Sequence, residues 1–457
     1  MKIAVLNGSP KGELSVTVQY IKFIQKSFPE HELNIINISQ RIKKIENNKD
    51  YFKEVIENIN SSDAIIWAFP LYVFLVASQY KRFIELITEN NVEHVFKDKY
   101  TCVLTTSINF YDHTAHNYMH AICDDLSMKY LGFYSAEMMD LLDEDRRKNL
   151  TTFSQNFFED IKSNVTTSKC YIPINFQKFS YDPSINHRKI DYNNKKLVIV
   201  SDSTSDNSNL SLMVEKFKSS FNGIIASYNL NDIDIKGGCL GCLECSYNNV
   251  CIYEGKDGFV DFYNDLINFD IVIFAGSLKD RYLSSNWKQF FDRGFFYNHV
   301  PIFKDKQVGF IISGALNQNT NLREILAGYC EWQHANLVNF ITDEIGDSNI
   351  IDQQIENLAR QVIRAAESDY IRPPTFLGVG GSKIFRDAIY GKMRFPFQAD
   401  HKYYKKNGLY NFPQKDTKTR IQNMTLTLLT KIPSMRREIY HKRMKKEMIK
   451  PFEDLLI

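Results

Sequence analysis

Two short, nearly uninterrupted apolar runs, Ile3-Ala4-Val5-Leu6 and Leu197-Val198-Ile199-Val200, each end at a turn rich in Gly, Ser, Asn or Asp. Runs of this length predict strands buried on both faces, and the amphipathic stretches after them predict helices laid over those strands. Ala64–Ala68 and Cys102–Thr105 continue the pattern in the first half, and Ile271–Phe274 and Val308–Ile312 continue it in the second. The alternation predicts an α/β chain built on parallel sheets.

The chain also repeats itself once. Ser78, Tyr80, Lys81, Phe83 and Glu85 fall on Ser285, Trp287, Lys288, Phe290 and Asp292, each 207 positions later. Phe96-Lys-Asp-Lys99 recurs as Phe303-Lys-Asp-Lys306, and Cys123 lands on Cys330, at the same spacing. Ser9 matches Ser203 after only 194 positions, so the second half carries 13 extra residues between its first loop and third strand. Cys239–Cys251 is itself 13 residues long and accounts for them. The expected organisation is a domain over 1–165, a linker over 166–194, a second domain over 195–368 and a mainly helical, basic C-terminal extension over 369–457.

Composition narrows the class without choosing it. The chain has 457 residues, 44% of them hydrophobic, with Lys+Arg 56 against Asp+Glu 54. Near-neutrality gives no sign of a nucleic-acid partner. The first apolar run stops at Asn7-Gly8, too short for a secretion signal, and Pro70 interrupts the longest uncharged stretch, so neither a leader nor a membrane span is expected. The eight cysteines form no secreted-type framework, which points to the cytoplasm and to metal or redox use of those that cluster.

The candidate chemistry begins after the first strand. Asn7-Gly8-Ser9-Pro10-Lys11 and Ser15-Val16-Thr17 place hydroxyls and backbone N–H groups at the start of a helix, where a phosphate monoester is stabilised; a plain helix cap uses the same residues. After the third strand, Pro70 ends the ladder and Tyr72 offers a flat face to a planar ring. In a doubly wound sheet of order 2-1-3-4-5, strands one and three flank the crevice where ligands bind.

Asn-Gly-Ser-Pro-Lys with Ser-x-Thr, and Pro-Leu-Tyr followed by Gln-Tyr-Lys-Arg-Phe, resemble the flavodoxin-like NAD(P)H oxidoreductases and NADPH-dependent FMN reductases. The resemblance covers most of 1–165 and, more loosely, 195–368. It implies two tandem flavodoxin-like domains, each with a five-stranded parallel sheet of order 2-1-3-4-5. It also implies an FMN held by Ser9, Lys11, Ser15 and Thr17, with Pro70, Leu71 and Tyr72 beside the ring and Thr106 and Ser107 at the third loop. The second half keeps hydroxyls and an amide at Ser203, Ser205 and Asn209, candidates for a second flavin, but departs from the pattern at Asp202 and Thr204. Reductases of this group are often dimers, a pairing that two domains in one chain can replace.

Cys239, Cys242, Cys245 and Cys251 form the sharpest motif. Four thiolates at this spacing suit a [4Fe–4S] cluster or tetrahedral zinc, and the segment is similar to the compact motif of iron–sulfur flavoproteins. Plain thiols are the third reading. If helical, His113, His116, His120 and Asp124 share one face that suits a metal, although a helix capped by Asp112 explains them as well. Phe395-Pro-Phe397 and His401–Lys406 could cover a flavin pocket or bind a pyridine nucleotide, and ordinary packing of the extension explains them as well. Lys415–Lys450 holds 11 Lys/Arg against 3 Asp/Glu and ends in a helix that Pro451 would close.

These expectations make an enzyme that takes hydride from NAD(P)H onto FMN and passes electrons to a small-molecule or protein acceptor, with no protein nucleophile. The alternative is a non-catalytic electron carrier between protein partners.

Overall fold

The computed structural model describes residues 1–175, 179–185, 189–192, 194–453 and 455–456, so parts of the expected linker 166–194 lie outside the described residues. The apolar runs form strands because each has both faces covered. In the first half β1 (Lys2–Asn7), β2 (Glu32–Asn37), β3 (Ala64–Pro70), β4 (Tyr100–Ser107) and β5 (Lys129–Glu137) make a sheet of order β2-β1-β3-β4-β5. All its pairings are parallel. Ile3, Val5, Ile66 and Leu104 lie in one buried cluster with Tyr20 and Phe157 from the covering helices.

The second half repeats the arrangement with β6 (Leu197–Ser201), β7 (Ala226–Asn229), β8 (Ile271–Lys279), β10 (Gln307–Ser313) and β11 (Asn336–Thr342). The order β11-β10-β8-β6-β7 is again 2-1-3-4-5 when counted within the half. One addition was not expected: β8 runs on to Lys279 and turns back through β9 (Tyr282–Leu283), which pairs with it antiparallel. Asp280 and Arg281 make that turn with positive φ.

The extra residues of the second half replace a helix. Where the first half follows β2 with the helix Ile38–Asn47, the second follows β7 with a loop that carries the cysteines, before the short helix Phe259–Asp265. Residues Met1–His401 form one compact unit and Lys402–Ile457 a second.

The spacing of 207 residues is also the spacing of the join between the halves. Helix Ser78–Glu89 packs on helix Ser285–Gly294, and each supplies an acid to the other's first N–H group. Ser285 N donates to Glu85 Oε1 at 2.6 Å, and Ser78 N donates to Asp292 Oδ2 at 2.7 Å. Each acid is paired within its own helix, Glu85 with Lys81 at 3.0 Å and Asp292 with Lys288. An acid at a helix N-terminus meets the positive end of the dipole, so the arrangement satisfies orphan N–H groups twice over. Such reciprocity is what an isologous interface between identical subunits requires. Here both copies are in one chain.

The expected linker is tied to both halves: Cys170 N and Tyr171 N donate to Asp124, and the Tyr181 hydroxyl and Ser184 N donate to Asp352. In the unit Lys402–Ile457, the helices Thr417–Leu429 and Met444–Glu453 bury no described side chain. The last of these includes Pro451 instead of stopping at it, and the proline leaves the Glu447 carbonyl without its bond from position 451. No described helix is long and apolar enough to cross a membrane.

Candidate functional site

The first loop is built from short-range bonds that leave its open side free. Ser9 N donates to Asn7 Oδ1 at 3.0 Å, and Lys11 N donates to Ser9 Oγ at 3.3 Å. Ser15 caps the helix Val16–Ser27 by accepting from Thr17 N at 3.2 Å. A Cβ on Gly8 would lie 2.7 Å from Phe69 Cβ, so the glycine lets this loop close onto β3. Thr17 Oγ1 and Thr106 Oγ1 lie 2.7 Å apart and tie the first loop to the third. Between them Tyr72 and Leu75 exchange backbone bonds of 2.8 and 2.9 Å in a tight turn, with Val73 and Phe74 at positive φ.

These loops enclose a cavity of about 930 Å³ at the crevice between β1 and β3. Its lining includes Ser9, Lys11, Ser15, Pro70, Leu71, Tyr72, Thr106 and Ser107. Of the first-half residues expected at the site, Thr17 alone stands behind the wall, buried against Thr106. The size is at the upper end of the 300–1,000 Å³ usual for ligand pockets. Hydroxyls, a helix start and Lys11 at one end, with Pro70, Leu71 and Tyr72 beside them, fit a phosphate-bearing ligand with a flat ring.

The opposite wall comes from the second half. Gln79 Nε2 donates to Cys239 O at 3.0 Å, and Gly241, at φ 63°, turns with the Tyr72 hydroxyl against its Cα where a Cβ would have no room. Arg293 clamps the base of this loop, donating to Asp257 at 2.8 and 3.0 Å and to Gly237 O at 2.9 Å. Cys239, Cys242, Cys245 and Cys251 all line the cavity, yet among the described residues no group of three or more His, Cys, Asp or Glu side chains is placed to hold a metal ion. Burial pushes the Cys239 and Cys245 thiols up to about 12. The donor chemistry suits a cluster or zinc, and Cys245 lies close enough to Cys239, Cys242 and Cys251 for their charges to act on it.

The second-half candidates are not brought to the cavity. Ser203 Oγ donates to Ser205 O at 3.2 Å, and Asn209 Nδ2 donates to Phe179 O at 3.0 Å and to Asp343 Oδ2 at 2.8 Å. Fully buried Asp343 also accepts from Ser313 Oγ at 2.8 Å and Gly314 N at 2.7 Å. Ser313 and Gly314 stand 207 positions after Thr106 and Ser107. A carboxylate of the chain thus occupies the donors that in the first half edge the cavity.

The histidine face of helix Asp112–Asp125 is spent on separate partners. His113 Nε2 meets Glu324 at 2.8 Å, His116 Nε2 meets Thr105 Oγ1 at 2.8 Å, and His120 stacks on Tyr130 with ring centroids 3.8 Å apart. Asp112 is the first helical residue, not the cap, because its carboxylate accepts from Ser135 Oγ; left-handed Tyr111 precedes it. Burial lowers His116 to about 4. An unfolded histidine protonates near 6.5, so below that pH the unfolded chain binds the extra proton and stability falls as pH drops toward 4. The loss amounts to about 3 kcal/mol, and urea unfolding of His116→Gln beside the parent should show a flatter pH profile through that window.

Sequence reasoning placed Phe397 over the pocket but missed Ile384, Phe385 and Met393 beside it in the roof, and missed Arg293 and His299 in its wall. A signal existed for Arg293. It stands where the repeat has Leu86 in the first half, and a charge replacing a core leucine marks a new task.

Residues 1–157 match the sequence model of a family described as having a flavodoxin-like fold. The first half is flavodoxin-like. No curated protein matches the chain. Among solved structures, FerB, a flavoenzyme NAD(P)H:(acceptor) oxidoreductase from Paracoccus denitrificans, is 18% identical over 35% of this chain and 97% of its own, with a TM-score of 0.30. The apo form of the NADH:FMN oxidoreductase EMOB is 15% identical over 36% of this chain and 92% of its own, with a TM-score of 0.32. An FMN-dependent NADH-azoreductase from Bacillus anthracis str. Ames Ancestor, in complex with FMN, is 15% identical over 36% and 99%, with a TM-score of 0.26. Each covers about one of the two halves of this chain.

Proposed function

We propose that the chain is a flavin-dependent oxidoreductase that binds one FMN in the first-half cavity, accepts hydride from NAD(P)H and passes electrons to an acceptor. The observation that carries this reading is the cavity between β1 and β3, with Ser9, Lys11 and Ser15 at one end and Tyr72 beside it. Ser9 and Ser15 supply hydroxyls to the phosphate, Lys11 offsets its charge, and Pro70, Leu71 and Tyr72 flank the ring. FMN, when bound, supplies the two-electron chemistry; the chain supplies placement and exclusion of water. The second half serves as wall and pseudo-partner, its own anion position filled by Asp343. A roof over the cavity favours an acceptor small enough to enter over a protein relay. No electron step is assigned to the cysteine loop.

The test is anaerobic purification, reconstitution with FMN and a count of flavin, iron, sulfide and zinc on the same sample. One FMN per chain, bleached by NADH or NADPH, is the expected result. Bound flavin that neither nucleotide bleaches would favour the carrier, and a chain that stays colourless would end the flavin reading.

A further inference from the structure

We propose that His299, oriented by Asp400, is the proton donor to the acceptor in this cavity, an inference that rests on the flavin reading above. His299 follows the helix Ser285–Gly294 and lines the cavity. Its backbone N–H donates to Asp400 Oδ1 at 3.1 Å, and its Nδ1 lies 2.5 Å from Asp400 Oδ2. Both carboxylate oxygens are therefore used on one residue, 101 positions away, and Asp400 is fully buried. The ring is held against Phe385 at 3.8 Å and Phe397 at 5.4 Å between centroids. Nδ1 is committed to the carboxylate, which leaves Nε2 as the ring nitrogen for the cavity that His299 lines.

A merely structural role does not account for this pair. Replacing a buried ion pair by apolar residues is often neutral or stabilising, and the surroundings, Phe385, Phe397 and Trp332, are apolar. The first half has Val92 at the corresponding position, so the histidine is no part of the repeated framework. Asp400 comes from the extension, which the first half also lacks. A carboxylate on Nδ1 fixes the tautomer and orientation of an imidazole whose other nitrogen moves a proton.

The acceptor that fits is flat, uncharged and aromatic, with a carbonyl oxygen that must be protonated as it is reduced. The hydride, and with it both electrons, would come from flavin reduced by NAD(P)H in the same cavity. The Nε2–H bond of His299 breaks as the acceptor's O–H bond forms, the imidazolium becomes imidazole, and Asp400 keeps its charge. Solvent returns the proton after product leaves.

The test uses the full chain with FMN, reduced by NADH and mixed anaerobically with either menadione or ferricyanide. Menadione needs a proton; ferricyanide takes single electrons and needs none. His299→Gln should slow reoxidation by menadione about 100-fold and leave ferricyanide unchanged, within the range for loss of a general acid. Asp400→Asn should show the same selectivity with a smaller loss, which keeps the test open if the first variant does not fold. Equal menadione rates in parent and variants, or equal slowing with both oxidants, overturn the proposal. A second readout needs no turnover: diethyl pyrocarbonate, which attacks only a deprotonated imidazole nitrogen, should modify His299 in the oxidised protein at alkaline pH, read by peptide mass, and menadione should protect it. No modification even at alkaline pH, or no protection, counts against an Nε2 that faces the acceptor. Failure of the flavin reading is distinct, because it appears as protein without bound FMN in parent and variants alike.

Discussion

Lys288→Met should destabilise the chain by about 3–5 kcal/mol, the largest loss expected of any single replacement at the join between the halves. Lys288 is fully buried, pairs with equally buried Asp292 and donates to Tyr72 O at 3.0 Å. Methionine keeps most of the stem, so the loss comes from charge and not from a cavity. Asp292 would be left with the N–H group and hydroxyl of Ser78, while burial already pushes its carboxyl above the ordinary range. The same change at the repeat-related position should cost clearly less. Glu85 would lose Lys81 but keep Arg82 at 3.0 Å, Lys279 at 3.8 Å and the hydroxyl of Ser285 at 2.7 Å. Despite burial, Lys81, the Ser285 hydroxyl and Lys279 together hold Glu85 below the ordinary carboxylate value. Urea unfolding of Lys81→Met and Lys288→Met measures the asymmetry, and equal losses would contradict it.

The join was half legible in the sequence. Counting showed that Ser78, Lys81 and Glu85 recur as Ser285, Lys288 and Asp292, but not that the two sets face each other. Recurrence is a one-dimensional fact, whereas the exchange of acids between helix starts needs the halves docked. The central strands were legible because Ile3–Leu6 and Ile271–Phe274 are buried on both faces and leave continuous apolar runs. Edge strands such as β2, Glu32-Leu-Asn-Ile-Ile-Asn37, leave none, since one side meets solvent and polar residues enter. β9 was hidden for another reason: two residues that pair only with the end of β8 have no period to detect.

The site divides in the same way. Its first-half loops are local in sequence, and Ser9, Lys11, Ser15, Pro70, Leu71, Tyr72, Thr106 and Ser107 meet in one cavity. The second half kept similar letters at Ser203, Ser205 and Asn209 but lost the vacancy, because Asp343, more than 130 positions on from Asn209, fills it. No local motif announces such a filling. Nor did the cysteine spacing reveal that the motif packs on Tyr72 and Gln79 of the other half. His299 and Asp400, 101 residues apart, lie beyond any spacing argument.

Ser15→Asp should lower FMN affinity about 1,000-fold while leaving the fold intact. Ser15 has two separable tasks: it caps the helix Val16–Ser27 through Thr17 N, and it lines the cavity beside Ser9 and Lys11. Aspartate caps a helix as well as serine does, so melting of the flavin-free chain should not change. Its carboxylate would face a phosphate, and two like charges about 4 Å apart near a protein surface repel by about 4 kcal/mol. That energy corresponds to about three orders of magnitude in the dissociation constant. Ser15→Ala reverses the pattern, with about 1 kcal/mol lost from the helix start and a far smaller loss of flavin. Ser203→Asp supplies the control. Its charge enters a loop outside the cavity, so quenching of flavin fluorescence should titrate as in the parent. Equal affinities in Ser15→Asp and the parent would remove the phosphate from this cradle. A similar loss in Ser203→Asp would mean that the second half also takes part in binding, against the filling of its anion position by Asp343.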